Sequence, residues 1–374
     1  MKRKIKINWA EPEIGKEEKK LVNNCFKLNR FTQGKKVSLF EKKISKFVGS
    51  KYAVAVSNGT VALDLAYKAI NLRPGDEVIM PAITYISTAM AVSYQGGIPV
   101  FVDVDLKNNC IKASEIEKAI TKKTKAISFI DYGGYPCNYN EIIKISKKKK
   151  IPIVLDAAQS LGGKYLGKTL GAGGLISTMS FHLAKIITTV EGGIIFTNNK
   201  KLYEDLLIRR NIGEPKNKKY EHTILGTNAR MTDIQAGIGI AQLKKLKKIV
   251  KARNSVAKEY NKLFKNENNI KLFHYDKRNV NSYFFYPILI NNRDNVAKNL
   301  FNKYGIDTRI AYPKPVFEQP IYKNKVCKSR HLNCPNAKNI SKKIINLPIF
   351  PKMSNKQIKY TVSSIKSLIN TKFE

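Results

Sequence analysis

Short apolar, β-branched runs recur along the chain at positions 52–56, 77–80, 99–102, 125–130 and 151–155, and each reads as a strand. The stretches between them, such as 60–70 and 114–120, are long enough for crossover helices. Strands apolar on both faces and separated by helices predict an α/β fold, a mostly parallel sheet covered on both sides. Two further strand runs, 178–181 and 193–197, bracket Lys185. Ahead of the first strand, residues Glu17 to Leu28 have helical spacing. Ser38 is then placed to cap a second helix, whose Leu39, Phe40, Ile44, Phe47 and Val48 make one apolar face.

Past the sheet the period changes. Thr232, with Gln235 three residues on, forms a capping box and opens a long helix running to about Phe264. A strand at 283–290, a helix at 294–304 and a Ser-capped helix at 354–369 follow, a compact α+β unit of roughly a hundred residues. The expected division is a large domain over 1–250 and a small C-terminal domain over 251–374. There is no internal repeat.

Composition narrows the class. Of 374 residues, 43% are hydrophobic and 26% charged, which suits a folded chain. The apolar stretches break well short of the roughly 20 residues that span a bilayer. The start, Met1-Lys-Arg-Lys-Ile-Lys-Ile, has no apolar core behind its basic residues, so a cytoplasmic protein is expected. Cys25, Cys110, Cys137, Cys327 and Cys334 are dispersed and form no Cys-x-x-Cys pair, against a disulfide framework or a zinc ribbon. Cys327, His331 and Cys334 lie close together but lack a fourth ligand, and no metal site is expected. The net charge of +40 raises nucleic-acid binding, yet the lysines are spread along the whole chain among many Asn and Ile, a pattern that A/T-rich coding explains. A positive field of that size also draws in small anionic substrates.

The chemistry converges on Lys185, in Ser180-Phe-His-Leu-Ala-Lys185-Ile-Ile-Thr-Thr-Val-Glu-Gly-Gly193. An amine nucleophile needs desolvation or neighbouring positive charge to free its lone pair, and a lysine held between a strand and a Gly-Gly turn fits that need. Ligands of an open parallel sheet bind beyond the carboxyl ends of its strands. There Asn58-Gly59-Thr60 begins a helix and offers backbone N–H groups to a phosphate. Asp156 ends a buried strand and needs a cationic partner, while Gln159 and Ser180 are neutral hydrogen-bonding groups. Taken singly, Asp156 also reads as a helix cap or ion-pair member, and Gly59-Thr60 as an ordinary helix start. Together, a phosphate cradle, an aspartate for a pyridinium nitrogen and a Schiff-base lysine describe a pyridoxal 5'-phosphate site.

Nearly end to end, the chain resembles the DegT/DnrJ/EryC1/StrS sugar aminotransferases, within the fold-type I pyridoxal phosphate enzymes. The resemblance rests on Phe31-Thr-Gln-Gly-Lys-Lys-Val, Ser57-Asn-Gly-Thr-Val-Ala-Leu63, Pro74-Gly-Asp-Glu-Val-Ile-Met-Pro81, Thr84-Tyr-Ile-Ser-Thr-Ala89, Asp156-Ala-Ala-Gln159, the Lys185 segment, Arg230-Met-Thr-Asp-Ile-Gln-Ala and Leu347-Pro-Ile-Phe-Pro. It implies a large, mostly parallel seven-stranded-type sheet domain with a small α+β domain. It gives Lys185 the covalent cofactor link, Asp156 the pyridine nitrogen, Gln159 the phenolic oxygen and Tyr85 the ring face, with Gly59, Thr60 and Ser180 holding the phosphate. Asn228 resembles the residue that reaches the phosphate from a partner subunit, so a homodimer with shared active sites is implied. The implied reaction moves an amino group from L-glutamate to a nucleotide-linked keto sugar, for amino sugar or surface polysaccharide biosynthesis. The Thr188-Thr-x-Glu-Gly-Gly193 form is more similar to the branch that aminates C4 of a 4-keto-6-deoxyhexose than to the C3 branch. Retention of Lys185 argues against the dehydratase branch, where a His replaces it.

Departures from the family pattern are Gly174, where Asp is common; Val190, where the turn usually has Gly; Thr227 and Ala229, in place of Tyr; and Phe317, in place of a frequent His near the substrate. Alternative readings are a C3-specific aminotransferase and a regulatory protein that keeps the cofactor without turnover. A cysteine desulfurase would carry His where Ala184 and Tyr85 stand. Gly162-Gly-Lys-Tyr-Leu-Gly167-Lys168-Thr169 matches the P-loop letters, but no strand directly precedes it and Leu-Gly-Ala-Gly-Gly after it disfavours a helix.

Overall fold

In the computed structural model, which describes residues 6–27 and 31–370, the alternating runs form strands β1 (Tyr52–Val56), β2 (Glu77–Pro81), β3 (Ile98–Val102), β4 (Thr124–Ile130) and β5 (Ile153–Asp156). A two-residue hairpin, β6 (Lys164–Tyr165) and β7 (Lys168–Thr169), precedes β8 (Ile176–Ser180) and β9 (Gly193–Thr197). The C-terminal part adds β10 (Lys271–Leu272), β11 (Tyr286–Leu289), β12 (Arg330–His331) and β13 (Ile344–Leu347). The large sheet has the order β1-β9-β8-β5-β4-β2-β3-β12, and β10-β11-β13 form a separate antiparallel sheet. In the large sheet only β9 runs against its neighbours. The alternating pattern thus gave seven of the eight strands. The eighth, β12, is two residues of polar sequence on the edge beside β3, and no apolar run marks it.

Helices α1 (Lys16–Phe26) and α2 (Lys35–Val48) precede the sheet. The crossovers are α3 (Gly59–Ala69), α4 (Ile86–Ser93), α5 (Ala113–Ala119) and α6 (Tyr139–Lys149); α7 (Lys200–Arg210) follows β9. Their apolar faces and the two faces of the sheet share one core, in which Val54, Ile79, Phe101, Phe129, Val154 and Ile195 are fully or almost fully buried. Burial of such side chains on both faces is the main stabilisation of a parallel sheet, at about 1.5–3 kcal/mol each.

The expected capping box opens α8 (Asp233–Leu263): Thr232 Oγ1 accepts from Gln235 N at 3.2 Å and Gln235 Oε1 accepts from Thr232 N at 2.9 Å. Ser38 is not the cap of α2. That helix starts a turn earlier, with Gly34 at the cap position, and Ser38 Oγ donates back to Gly34 O at 3.3 Å. The reason is a remote one. The Asp233 carboxylate accepts from the N–H groups of Gly34 and Lys36 at 2.7 Å and of Val37 at 3.2 Å, so the first turn is capped from another element. The expected first helix is α1, ending at Phe26; Leu28 lies outside the described residues. The P-loop-like letters form the β6–β7 hairpin, with Leu166 and Gly167 at positive φ in its turn, and open no helix.

Helices α9 (Arg293–Asn299), α10 (Pro320–Lys323), α11 (Pro335–Lys343) and α12 (Asn355–Asn370) belong to the C-terminal part, α12 being capped by Ser354, whose Oγ accepts from Gln357 N. Ile7 bridges Ile306, which ties the N-terminal segment to this part and brings Trp9 against Phe284 and Phe285. No described helix is long and apolar enough to cross a membrane.

Candidate active site

β1, β5 and β8 are oriented alike and their carboxyl ends open on one cleft of about 810 Å³. Each contributes the group that its polar terminus predicts. After β1, Asn58 caps α3 by accepting from Val61 N at 2.9 Å. Gly59 and Thr60, the first two helical residues, keep N–H groups that no helix can satisfy internally. Gly59 has no room for a side chain, since a Cβ there would lie 2.7 Å from Ser180 Cβ. Thr60 Oγ1 and Ser87 Oγ are hydrogen-bonded at 2.8 Å, and both residues line the cleft. Backbone donors at a helix start, with hydroxyls beside them, form a cradle for a phosphate.

Asp156, the last residue of β5, is buried. Thr88 Oγ1 donates to its Oδ2 at 2.7 Å and Ala158 N to its Oδ1 at 3.1 Å. Burial raises the carboxyl's pKa, opposed by the Thr88 hydroxyl, the Ala158 N–H and the positive charge of Lys185. Lys185 follows Ser180 by five residues, on the turn between β8 and β9, and its Nζ lies 4.5 Å from the centre of the Phe284 ring. Desolvation pushes the amine down to about 8, with Asp156 pulling the other way. Half-buried against an aromatic face, it is available in its neutral form far below the pH at which a solvated lysine would be.

Gln159 is buried. Its Oε1 accepts from Gly133 N at 2.6 Å, and its Nε2 donates to Tyr312 OH at 3.4 Å. Tyr85 sits at the cap of α4, 55% exposed at the mouth, with its ring centre 6.2 Å from that of Tyr312. Thus Gly59, Thr60, Tyr85, Asp156, Gln159, Ser180 and Lys185 all line one cleft. Asn228 does not: it is exposed and is bridged to Asn211 by its backbone.

Sequence reasoning missed several groups. Thr88 holds Asp156, yet in sequence it reads as an ordinary threonine near a helix start. Phe284, Trp9, Arg309 and Tyr312 come from the N-terminal segment and the C-terminal part, and only tertiary folding places them here.

A family model for the DegT/DnrJ/EryC1/StrS aminotransferase family matches residues 12–366. The chain belongs to that family. It is 36% identical over 367 residues to the GDP-perosamine synthase of Escherichia coli O157:H7, covering 97% of this chain and 98% of that one. It is 32% identical over 322 residues to the UDP-4-amino-4,6-dideoxy-N-acetyl-beta-L-altrosamine transaminase of Helicobacter pylori, covering 84% and 85%. Among solved structures, the E. coli GDP-4-keto-6-deoxy-D-mannose-3-dehydratase with bound hydrated pyridoxal phosphate superposes with a TM-score of 0.92 at 26% identity, covering 97% and 100%.

The chain is therefore a pyridoxal phosphate-dependent sugar aminotransferase of fold-type I. Its residues fit that cofactor: the space beside Ser180 is left by a glycine, and a buried carboxylate to which no cation among the described residues is hydrogen-bonded lines the cleft. Of the departures from the family pattern, Gly174 is forced, because a Cβ there would lie 2.7 Å from both Ile153 O and Ile176 O. Val190 adopts φ +72, the conformation in which a glycine is favoured. Ala229 is buried and Thr227 pairs with Arg209 and Ile212 through its backbone. Phe317 is buried, stacks on His331 at 4.4 Å and does not line the cleft of its own chain.

Proposed function

We propose that the enzyme moves an amino group from L-glutamate to C4 of a nucleotide-linked 4-keto-6-deoxyhexose, for amino sugar or surface polysaccharide biosynthesis. The observation that carries the reading is the desolvated Lys185 amine in the same cleft as buried Asp156, beside a phosphate cradle. The C4 preference is supported by the Thr188-Thr-x-Glu-Gly-Gly193 form and by the similarity to the H. pylori transaminase, which is named for a 4-amino-4,6-dideoxy sugar.

When bound, pyridoxal phosphate supplies an exchangeable carbonyl and an electron sink for the carbon that loses its proton. The chain's residues do the rest. Gly59, Thr60 and Ser180 hold the phosphate, with Asn228 reaching it from the partner subunit of a homodimer. Asp156 keeps a proton at the ring nitrogen, and the hydrogen bonds from Thr88 and Ala158 oppose the rise that burial imposes on its pKa. Gln159 bonds the phenolic oxygen and Tyr85 covers the ring face. Lys185, neutral in part near physiological pH, takes the proton from the carbon bearing the amine and later returns one.

The deciding experiment follows the bound cofactor's absorbance on adding L-glutamate, then screens 4-keto and 3-keto sugar nucleotides for recovery of the starting spectrum. A 4-keto acceptor should restore it. Recovery with 3-keto acceptors alone moves the assignment to C3, and a cofactor spectrum untouched by glutamate or other amino donors identifies a non-catalytic binder. Lys185→Ala should abolish turnover.

A further inference from the structure

Asp131, the residue after β4, is a fully buried carboxylate that the proposed chemistry leaves unused. It does not line the cleft, although Ile130 before it does. Its Oδ2 accepts from Ser160 Oγ at 2.6 Å and from Tyr139 OH at 2.7 Å, and its Oδ1 accepts from Cys137 N at 2.9 Å. No cation among the described residues is hydrogen-bonded to it. A buried carboxylate is retained where such bonds offset its lost hydration, and here they come from the loop after β4, from α6 and from the turn after β5.

Two of these segments meet again at Gln159. Gly133 N donates to Gln159 Oε1 at 2.6 Å, and Gln159 directly precedes Ser160. The contacts close a ring: along the chain from Asp131 to Gly133, across to the Gln159 side chain, on to Ser160, and back through its hydroxyl to Asp131. The loop itself needs holding, since Gly133 and Gly134 stand at φ +63 and +85. Gly134 N donates to Asp131 O at 2.9 Å, and the carboxylate takes the N–H of Cys137 at the loop's far end. Because a backbone N–H can only donate, the Gln159 amide oxygen must face Gly133 and Nε2 must face the other way. There Nε2 has one partner among the described residues, Tyr312 OH at a long 3.4 Å, so an N–H is left for a ligand.

We propose that Asp131 is a positioning residue for the cofactor: through Ser160 and the Gly133 loop it orients the Gln159 amide, which then presents a donor, never an acceptor, to the phenolic oxygen. The inference rests on the reading that Gln159 serves that oxygen. A donor there stabilises the oxygen's negative charge, so the proton it shares with the nitrogen linking cofactor to Lys185 is held less tightly. Loosening the donor therefore raises the pH at which the bound cofactor's absorbance changes.

The test titrates the absorbance of the holoenzyme against pH, beside its thermal midpoint. Gln159→Leu removes the donor and should raise the spectral midpoint by about 1–2 pH units. Ser160→Ala and Asp131→Ala cut the tie but keep Gln159, and each should raise it by about 0.3–1 unit. Asp131→Asn, which keeps the shape and lets the hydroxyls turn to accept, should move it less. Tyr139→Phe is the control: it removes a bond to the same Oδ2 without a described hydrogen bond to Gln159 or its turn. It should lower the thermal midpoint and leave the spectral one in place. Asp156, Tyr85, Tyr312, His182, Glu191 and Arg309, the other titratable groups of the cleft, are unchanged in every variant. If Ser160→Ala keeps the wild-type spectral midpoint while Gln159→Leu moves it, the proposal falls and the reading of Gln159 stands. If Gln159→Leu moves nothing, that reading falls and takes the proposal with it. A Tyr139→Phe shift as large as that of Ser160→Ala would mean general loosening of the fold and also overturns the proposal. Should Asp131→Ala fail to fold, Ser160→Ala and Asp131→Asn decide.

Discussion

At the scale of single residues, the cleft is governed by two opposed burials: Asp156 pushed towards its neutral acid and Lys185 towards its neutral amine. For the lysine the sign is simple. The neutral amine is the attacking form, so covalent uptake of pyridoxal phosphate by apoenzyme should slow about tenfold per pH unit below 8 and level off above it. Stopped-flow absorbance across pH 6 to 10 reads this directly, and a profile still climbing at pH 10 would show an unshifted lysine. For the aspartate, Thr88 is decisive: buried, hydrogen-bonded to Thr84 Oγ1 at 3.0 Å and donating to Asp156 at 2.7 Å. A hydrogen bond to a charged group contributes about 1.5–3 kcal/mol. Thr88→Val should therefore raise the Asp156 pKa further, lower kcat roughly tenfold or more, and move the acid limb of the kcat profile to higher pH. Thr88→Ser should restore both, and an unmoved acid limb in the valine variant would sink the idea. Asp156 and Lys185 were legible because a polar group at the end of a buried strand is conspicuous. Thr88 was not, because a threonine near a helix start reads as an ordinary helical position until its partner across the sheet is known.

At the scale of elements, local sequence described the strands well and their terminations less well. The run of apolar residues sets where a strand lies, but a helix start depends on whichever acceptor meets its free N–H groups. For α2 that acceptor is Asp233, some two hundred positions away, which is why Ser38 looked like the cap. The turn between β8 and β9 shows the opposite case, a local departure with a local consequence. Thr188 Oγ1 accepts from Val190 N at 2.8 Å and holds Val190 at φ +72, where a β-branched residue is strained. The residue is 51% exposed, so it returns little burial in exchange. Relieving the strain is worth about 1–2 kcal/mol, and the added freedom of glycine in the unfolded chain offsets part of it. Val190→Gly should accordingly stabilise the enzyme by roughly 0.5–1 kcal/mol, seen as a higher urea midpoint. A lower midpoint would mean that the valine packs against something that offsets its strain.

At the scale of the whole molecule, the cleft is assembled from segments far apart in sequence: Trp9 near the start, strand ends from the large sheet, and Phe284, Arg309 and Tyr312 from the C-terminal part. Hydrophobic periodicity shows which elements exist but not which loops meet, so these walls were invisible until the chain was folded. The same limit applies to the partner subunit. Asn228 is exposed and does not line its own chain's cleft, and the proposed role is that it serves the phosphate in another copy. That geometry gives a sharp test by complementation. In Lys185→Ala the amine is missing but Asn228 is intact; in Asn228→Asp the amine is intact, but a carboxylate would face the phosphate and repel it. If sites are shared across a two-fold dimer, a mixed dimer contains one site built from the good lysine of one chain and the good asparagine of the other. Random reassortment of equal amounts makes half the dimers mixed, each with one working site of two, so activity should return to about a quarter of the wild-type value. If Asn228 serves its own chain, every site in the mixture carries one defect or the other, and unfolding and refolding the two inactive variants together would restore nothing.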